Sequence, residues 1–332
     1  MTPRMSLRAL VLAVAMLMAP RVGRAEDVGQ PVIVTAAETA DTAASDAVVT
    51  SAPTSDPTML AAGVSGGLLV TTLVYGTFAW WKDAGYAPFS LYNSGFFGRT
   101  TYAGGSDKTG HFFACYWGVH LLQYLYERLG VPSENAFWLG LSVALFVSTS
   151  VELVDGFTPY GFEWNDVVAN VLGISAALAA QRYPAFDALV GFRLGYVPTD
   201  HFMRHDKNYI RTINDYSGMI FYMDLKPAGL ERAFGIDPGF ARYFVIGPTY
   251  NTYGYSPRNR AYKEREVGVF VGLNMPEVLA SVFGADSPLA VQGGRVTRYF
   301  ALPFTDVSLV REMNHDSNRV NFGVANRAES RF

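Results

Sequence analysis

From residue 57 to residue 81 the chain carries no charged side chain. At about 1.5 Å of rise per residue, a helix of this length reaches across the ~30 Å hydrocarbon core of a bilayer. Trp80, Trp81 and Lys82 close the run in the manner of interfacial anchors. The competing reading is a buried helix of a soluble domain, which the pair Gly66-Gly67 keeps open. Half of all residues are hydrophobic and only 17% are charged, so the chain as a whole favours membrane contact. A net charge of −3 gives no support for nucleic-acid binding, which needs a basic face. Cys115 is the one cysteine, so neither an internal disulfide nor a cysteine cluster for zinc or iron–sulfur is available.

The rest of the chain divides by pattern. Arg4 and Arg8 precede an apolar run at 9–20, and Gly23, Arg24 and Ala25 offer small residues where a signal peptidase reads. Residues 1–25 therefore read as a secretory signal peptide, with an uncleaved anchor as the alternative. No cysteine lies near the cleavage point, so no lipid is expected there. Residues 26–56 lack aromatic residues and any sustained period, and read as a flexible spacer. Helices are expected at 107–129, 135–155 and 165–182, punctuated by Gly130, Pro132, Gly156, Pro159, Gly161 and Pro184. With the first run these make a bundle of about four apolar helices over 57–184, membrane-associated. Beyond it, short aromatic and β-branched runs at 189–197, 219–225, 243–250, 267–273, 296–302 and 320–324 read as strands, with a short helix at 276–283. In the fourth run Val267, Val269, Val271 and Leu273 share one face, while Gly268, Phe270 and Gly272 share the other. The expected fold class is α+β: an N-terminal helical bundle followed by a β-rich domain over 185–332.

The chemistry gathers at three helix ends. Asp107, Lys108 and His111 open the second helix, Glu152 and Asp155 end the third, and Asp166 and Asn170 open the fourth. Asp107 and His111 are four apart, Glu152 and Asp155 three, Asp166 and Asn170 four, so each pair shares a face. Short loops make consecutive helices antiparallel, which brings the three pairs to one end of the bundle. Buried carboxylates must be paired, protonated or bound to metal. The set can therefore serve general acid–base chemistry, or it could hold a divalent metal through carboxylate oxygens and one imidazole. A bland reading stands beside these: Asp107 and Asp166 as helix caps, and the whole as a polar knot that fixes register.

The order Asp-Lys-x-Gly-His at 107–111, Glu-x-x-Asp-Gly at 152–156 and Asp-x-x-Ala-Asn-x-x-Gly at 166–173 resembles the YfiM-like family of bacterial envelope proteins (domain of unknown function 2279). More distantly it is similar to VanZ-like membrane proteins, some of which are linked to glycopeptide resistance. The resemblance covers about residues 100–182. Asp215-Tyr-Ser-Gly218 and Gly272-Leu-Asn-Met-Pro-Glu277 are similar to segments of longer members. It implies an envelope protein with a polar site, and no reaction. Some members are lipoproteins, a feature that this chain's cysteine content does not support.

Other motifs are weaker. His201 and His205 are four apart but flanked by Arg204, Asp206 and Lys207, as in an exposed segment. His120 reads as a core residue and His315 as part of a polar turn. The basic run 258–265 reads as a solvated loop that could touch anionic headgroups. No nucleophile elbow, HExxH, Walker loop or post-strand GxGxxG occurs. The terminal Phe332 resembles the last residue of outer-membrane barrels, but Asn326, Arg327, Glu329 and Arg331 interrupt that strand. The expected place is a Gram-negative cell envelope, at the inner membrane or in the periplasm rather than at the outer membrane. Two functions are expected from the sequence: binding or processing an envelope lipid or glycan precursor, or a non-catalytic structural or interaction role. The expected partners are membrane lipids and an envelope protein; whether the chain is an enzyme stays open.

Overall fold

The computed structural model describes residues 56–199, 202–203, 213–255, 263–313 and 320–323. The expected signal peptide, nearly all of the spacer, His201, His205, His315, most of the basic run and the residues from 324 to Phe332 lie outside these.

The uncharged run folds as helix α1, Pro57–Ala84. Near its end, Thr77–Trp81 widens into a π-helical turn. Gly76 permits it, because a Cβ there would stand 2.6 Å from the Trp81 ring. Trp81 folds back and is buried, and its indole N–H donates to Asp155 Oδ1 at 2.6 Å. The sequence suggests an interfacial anchor at this position. The structure instead finds an aromatic body in the core with its polar tip satisfied.

Helices α2 (Ser106–Arg128), α3 (Ser133–Asp155) and α4 (Trp164–Arg182) follow close to the expected bounds. Gly130, at φ 92°, takes the left-handed conformation that ends α2. The central helix is α2, packed against both α3 and α4. Small residues set the crossings: a Cβ on Gly173 of α4 would meet the Phe112 carbonyl of α2 at 2.1 Å, and one on Gly140 of α3 would meet Val119 O at 3.0 Å. Cys115, Tyr116, Val119, Leu122 and Tyr126 of α2 form the core with Phe137, Ala144, Ile174 and Ala177. Two helices, α1 and α3, are long and apolar enough to cross a membrane. Along their most apolar stretches they are only 11% and 22% buried, unlike the core helix of a soluble protein.

Between α3 and α4, a two-residue strand β2 (Phe162–Glu163) pairs in parallel with β1 (Leu91–Tyr92) from the loop after α1. This pairing pins Glu163 at the start of α4. After the short helix α5 (Pro184–Leu189), an antiparallel meander runs β3 (Val190–Tyr196), β4 (Met219–Leu225), β5 (Phe244–Tyr253), β6 (Glu264–Leu273), β7 (Asp306–Glu312) and β8 (Val320–Gly323). Helix α6 (Gly229–Phe234) lies between β4 and β5, while α7 (Met275–Phe283) and α8 (Pro288–Thr297) lie between β6 and β7. The chain is thus mixed, with helices first and an antiparallel sheet in the C-terminal region.

The alternation in β6 is as the sequence suggests, but the valine face is the exposed one. Val267, Val269 and Val271, joined by Val307 and Leu309 of β7, face outward, while Phe270, Asp306 and Ser308 are buried. The buried face holds Arg193, whose guanidinium pairs with Asp224 at 2.5 and 3.0 Å and lies 5.3 Å from the Tyr222 ring and 5.8 Å from the Phe270 ring. Strands β3 and β6 are three spacings apart, about 14 Å in a flat sheet, so Arg193 reaches across β4 and β5 to make this contact. At the β3 end the sheet meets α2, with Phe112 4.8 Å from the Phe192 ring and Phe113 5.8 Å from the Phe300 ring.

One expected strand is corrected. Residues 296–302 begin as the last turn of α8, and only Phe300 pairs, as an isolated bridge to Leu194. The Ser287 hydroxyl caps α8 by accepting from Ala290 N at 3.1 Å, and Pro288 fits its first turn, so the helix captures Val296. The seven-residue strand β7 is absent from the expectations: its inward Asp306 and Ser308 resemble turn residues when read alone.

Candidate functional site

The site begins in the turn before α2. Ala103, Gly104 and Gly105 take φ values of 48°, 65° and 100°. A Cβ on Gly105 would stand 2.5 Å from Phe96 O. This left-handed turn delivers the chain into α2 with Ser106, Asp107 and Lys108 all buried. Ser106 Oγ is tied to Thr252 Oγ1 of β5 at 2.8 Å.

Lys108 is the hub. Its ammonium lies 3.1 Å from Asp107 Oδ2, 2.6 Å from Asp166 Oδ1 and 2.9 Å from Glu163 Oε2, and its side chain is 1% exposed. One turn further along α2, the His111 ring lies among the remaining acids. Its Nδ1 is 3.1 Å from Asn170 Oδ1 and 3.5 Å from Glu152 Oε1. Its Nε2 is 3.8 Å from Asp107 Oδ1 and 3.9 Å from Asp166 Oδ2. Asp107, Lys108, His111, Glu152, Asp166 and Asn170 therefore meet at one end of the three helices. Asp155 is turned towards Trp81 and stands at the margin of the group.

Three contributors escape the sequence reading. Glu163 sits on β2 and accepts from the Ser94 amide at 3.1 Å and from the Ser94 hydroxyl. Its spacing of three from Asp166 was the available signal. The Tyr216 hydroxyl donates to Asp107 Oδ1 at 2.6 Å from a segment 109 residues away, and no local pattern announces it. The Cys115 thiol, one turn beyond His111, donates to Asn170 Oδ1 at 3.3 Å.

Burial and charge set the protonation states. Burial disfavours the ionised form of Asp107, yet His111, Lys108 and the Tyr216 hydrogen bond together hold its carboxyl below the usual range. Asp166 goes the other way, pushed up to about 7 by burial and by the Asp107 charge beside it. Burial works against the His111 cation, but Asp166, Asp107 and Glu152 raise it to about 9. Lys108 is likewise raised, its carboxylates outweighing its burial. Burial pushes the Cys115 thiol up to about 11, so it stays protonated. The arrangement can store and move a proton between an imidazole and carboxyls, and Asp107, His111 and Asp166 each offer an atom for one metal ion.

The sequence suggests a satisfied core residue at His120, further along α2; it is half-buried, with its ring against Tyr116 at 5.0 Å and Tyr299 at 5.8 Å, but its Nε2 has no hydrogen-bond partner among the described residues. The chain's cysteine is buried inside α2, which is no place for a lipid anchor.

No curated protein and no solved structure matches the chain. No comparison shows the more distant likeness to VanZ-like proteins. Residues 93–182 match one family model, described as a predicted periplasmic lipoprotein family (DUF2279), which fits an envelope location. That span holds α2, α3, α4 and every member of the cluster except Tyr216, so the site is the part of this chain that is similar to the family.

Proposed function

We propose that the chain is a membrane-associated envelope protein that binds or processes an envelope lipid or glycan precursor at the Lys108–His111 cluster. The carrying observation is a contrast in access. The His111 side chain is 25% exposed, whereas Lys108, Asp107, Glu152 and Asp166 are between 1% and 8% exposed. A buried set of charges with one reachable imidazole presents that imidazole to a ligand. Asp166, raised to about 7, exchanges its proton near neutral pH, and His111, raised to about 9, is a cation there, so a proton donor stands beside a carboxyl that can accept from it. Membrane lipids are the proposed partners of the uncovered apolar faces of α1 and α3, with the inner membrane or the periplasm as the place. An envelope protein is the proposed partner of the exposed valine face of β6 and β7.

The non-catalytic alternative has one observation of its own. Lys108 joins α2, β2 and α4, and Tyr216 adds the segment before β4. Such a network holds elements in register.

The test uses a deletion strain of the native host, complemented with wild type or with Asp107→Asn, His111→Ala or Glu152→Gln. The proposal expects each variant to reach the membrane fraction in normal folded yield and to leave lipid or glycan precursors altered, as read by mass spectrometry. Collapse of folded yield in all three, with no precursor change at matched protein level, favours the structural role.

A further inference from the structure

We infer that Asp107, His111 and Asp166 form a binding site for one divalent transition-metal ion, with Asn170 and Glu152 orienting the imidazole from behind. The inference rests on the same reading of the cluster as a functional site, and goes further by naming the cofactor class.

The donor geometry comes first. One ligand atom from each of the three residues lies within 4.8 Å of the other two. His111 Nε2 is 3.8 Å from Asp107 Oδ1 and 3.9 Å from Asp166 Oδ2, too far for hydrogen bonds. Ligands held about 2.1 Å from a tetrahedral ion stand roughly 3.4 Å apart. The two spacings to the imidazole are within about half an ångström of that value, and the three atoms all lie within 4.8 Å, so the aspartate side chains must rotate inwards to close on an ion.

The orientation of each donor comes second. Nδ1 of His111 meets Asn170 Oδ1 at 3.1 Å, and the same oxygen accepts from the Cys115 thiol. An amide oxygen only accepts, so Nδ1 keeps its proton, and an ion binding at Nε2, the nitrogen that faces the two aspartates, takes the place of any proton there. The Lys108 ammonium takes Asp107 Oδ2 and Asp166 Oδ1, leaving the other oxygen of each turned to the imidazole. Asp107 Oδ1 also accepts from Tyr216, and its second lone pair remains for an ion.

The third observation is independent of the donors. Glu152 is 1% exposed, and its Oε1 has no hydrogen-bond partner among the described residues although it faces His111 Nδ1 at 3.5 Å. A carboxylate behind an imidazole that points its other nitrogen at acidic oxygens is the arrangement that orients histidine ligands of metals. One nitrogen and two carboxylate oxygens suit zinc or manganese better than calcium or magnesium, which take oxygen ligands. The partial exposure of His111 leaves an open side for the ion and a further ligand.

The test is calorimetric titration of the full chain, purified in detergent and stripped with chelator, with Zn2+, Mn2+ and Mg2+ in turn. Zn2+ and Mn2+ are expected to bind one to one and Mg2+ far more weakly. His111→Ala and Asp166→Asn should each weaken Zn2+ binding by about 100-fold or more, and Asn170→Ala by roughly 10- to 100-fold. Co2+ gives a readout that needs no variant: binding at this site produces the visible absorption of a low-coordinate ion. Absence of saturable binding to wild type overturns the inference, as does Zn2+ binding unchanged in His111→Ala. The functional reading fails separately. If wild type binds metal while the precursor profile ignores His111→Ala, the metal site stands and the proposed function falls. If the profile depends on His111 and no metal binds, the reverse holds.

Discussion

Lys108 and His111 are one helical turn apart and do different work. Lys108 is sealed among three carboxylates, so Lys108→Met removes the cation and strands the acids. Breaking a buried ion pair from one side costs about 3–5 kcal/mol, and denaturant melts should show a loss of that order. His111→Ala should cost less, because the ring is partly exposed and its Asp107 and Asp166 contacts are long, leaving the Asn170 hydrogen bond as its one short contact. A pH effect belongs to His120. Burial, with Arg298 nearby, lowers its pKa to about 4. The unfolded chain takes up this proton near 6.5 while the folded chain refuses it until about 4. Stability is therefore full above about 6.5 and falls as the pH drops through that window. Melting curves between pH 8 and pH 4.5 should show His120→Gln losing less stability on acidification than wild type. The members on α2, α3 and α4 are legible in the sequence because helical spacing and antiparallel packing fix where they point. Glu163 and Tyr216 are not, since one owes its place to a two-residue strand pairing and the other to a contact across 109 residues.

Helix crossings decide whether those side chains meet. Gly173 brings α4 so near α2 that an added Cβ would overlap the Phe112 carbonyl, three residues from Asn170. Gly140 is tight but less so, at 3.0 to 3.2 Å from its neighbours, and Gly118 has nothing within 4 Å. Replacing each by alanine gives a graded series. Gly173→Ala should destabilise by at least the 1–3 kcal/mol that is roughly typical of overpacking. Gly140→Ala should fall between. Gly118→Ala should stabilise by about 0.5–1 kcal/mol through helix propensity. Thermal melts order the three, and a Gly173→Ala as stable as wild type would contradict the close crossing. The long helices and β6 are legible because their periods run for several turns or residues. The end of α8 is not, because Val296, Tyr299 and Phe300 have strand-like composition and the cap at Ser287 lies nine residues earlier. The exposed side of β6 was beyond sequence reading too, since alternation gives two faces without saying which one is covered.

The matched family span ends at residue 182, yet the structure does not end its packing there. Phe112, Phe113 and Tyr116 of α2 lie against Phe192 and Phe300, and Tyr216 completes the shell of Asp107. Removing everything after residue 184 would bare this aromatic face and free one Asp107 oxygen from its donor. The helices should then lose protection from proteolysis and hydrogen exchange even though their own sequence is intact. Phe113→Ala in the full chain offers a milder version. Its side chain sits in a cluster with Met219 and Phe221, and loss of a buried phenyl ring costs about 3–5 kcal/mol. Since that cluster joins the helices to the sheet, the loss should appear in both. Trp138 on α3, kept as the single tryptophan by replacing the other four, reports the helical part, and exchange of β5 and β6 amides reports the sheet. Tryptophan fluorescence and amide exchange should shift to lower denaturant together in Phe113→Ala. A shift confined to one of them would mean that the two parts unfold independently and that α2 does not couple them.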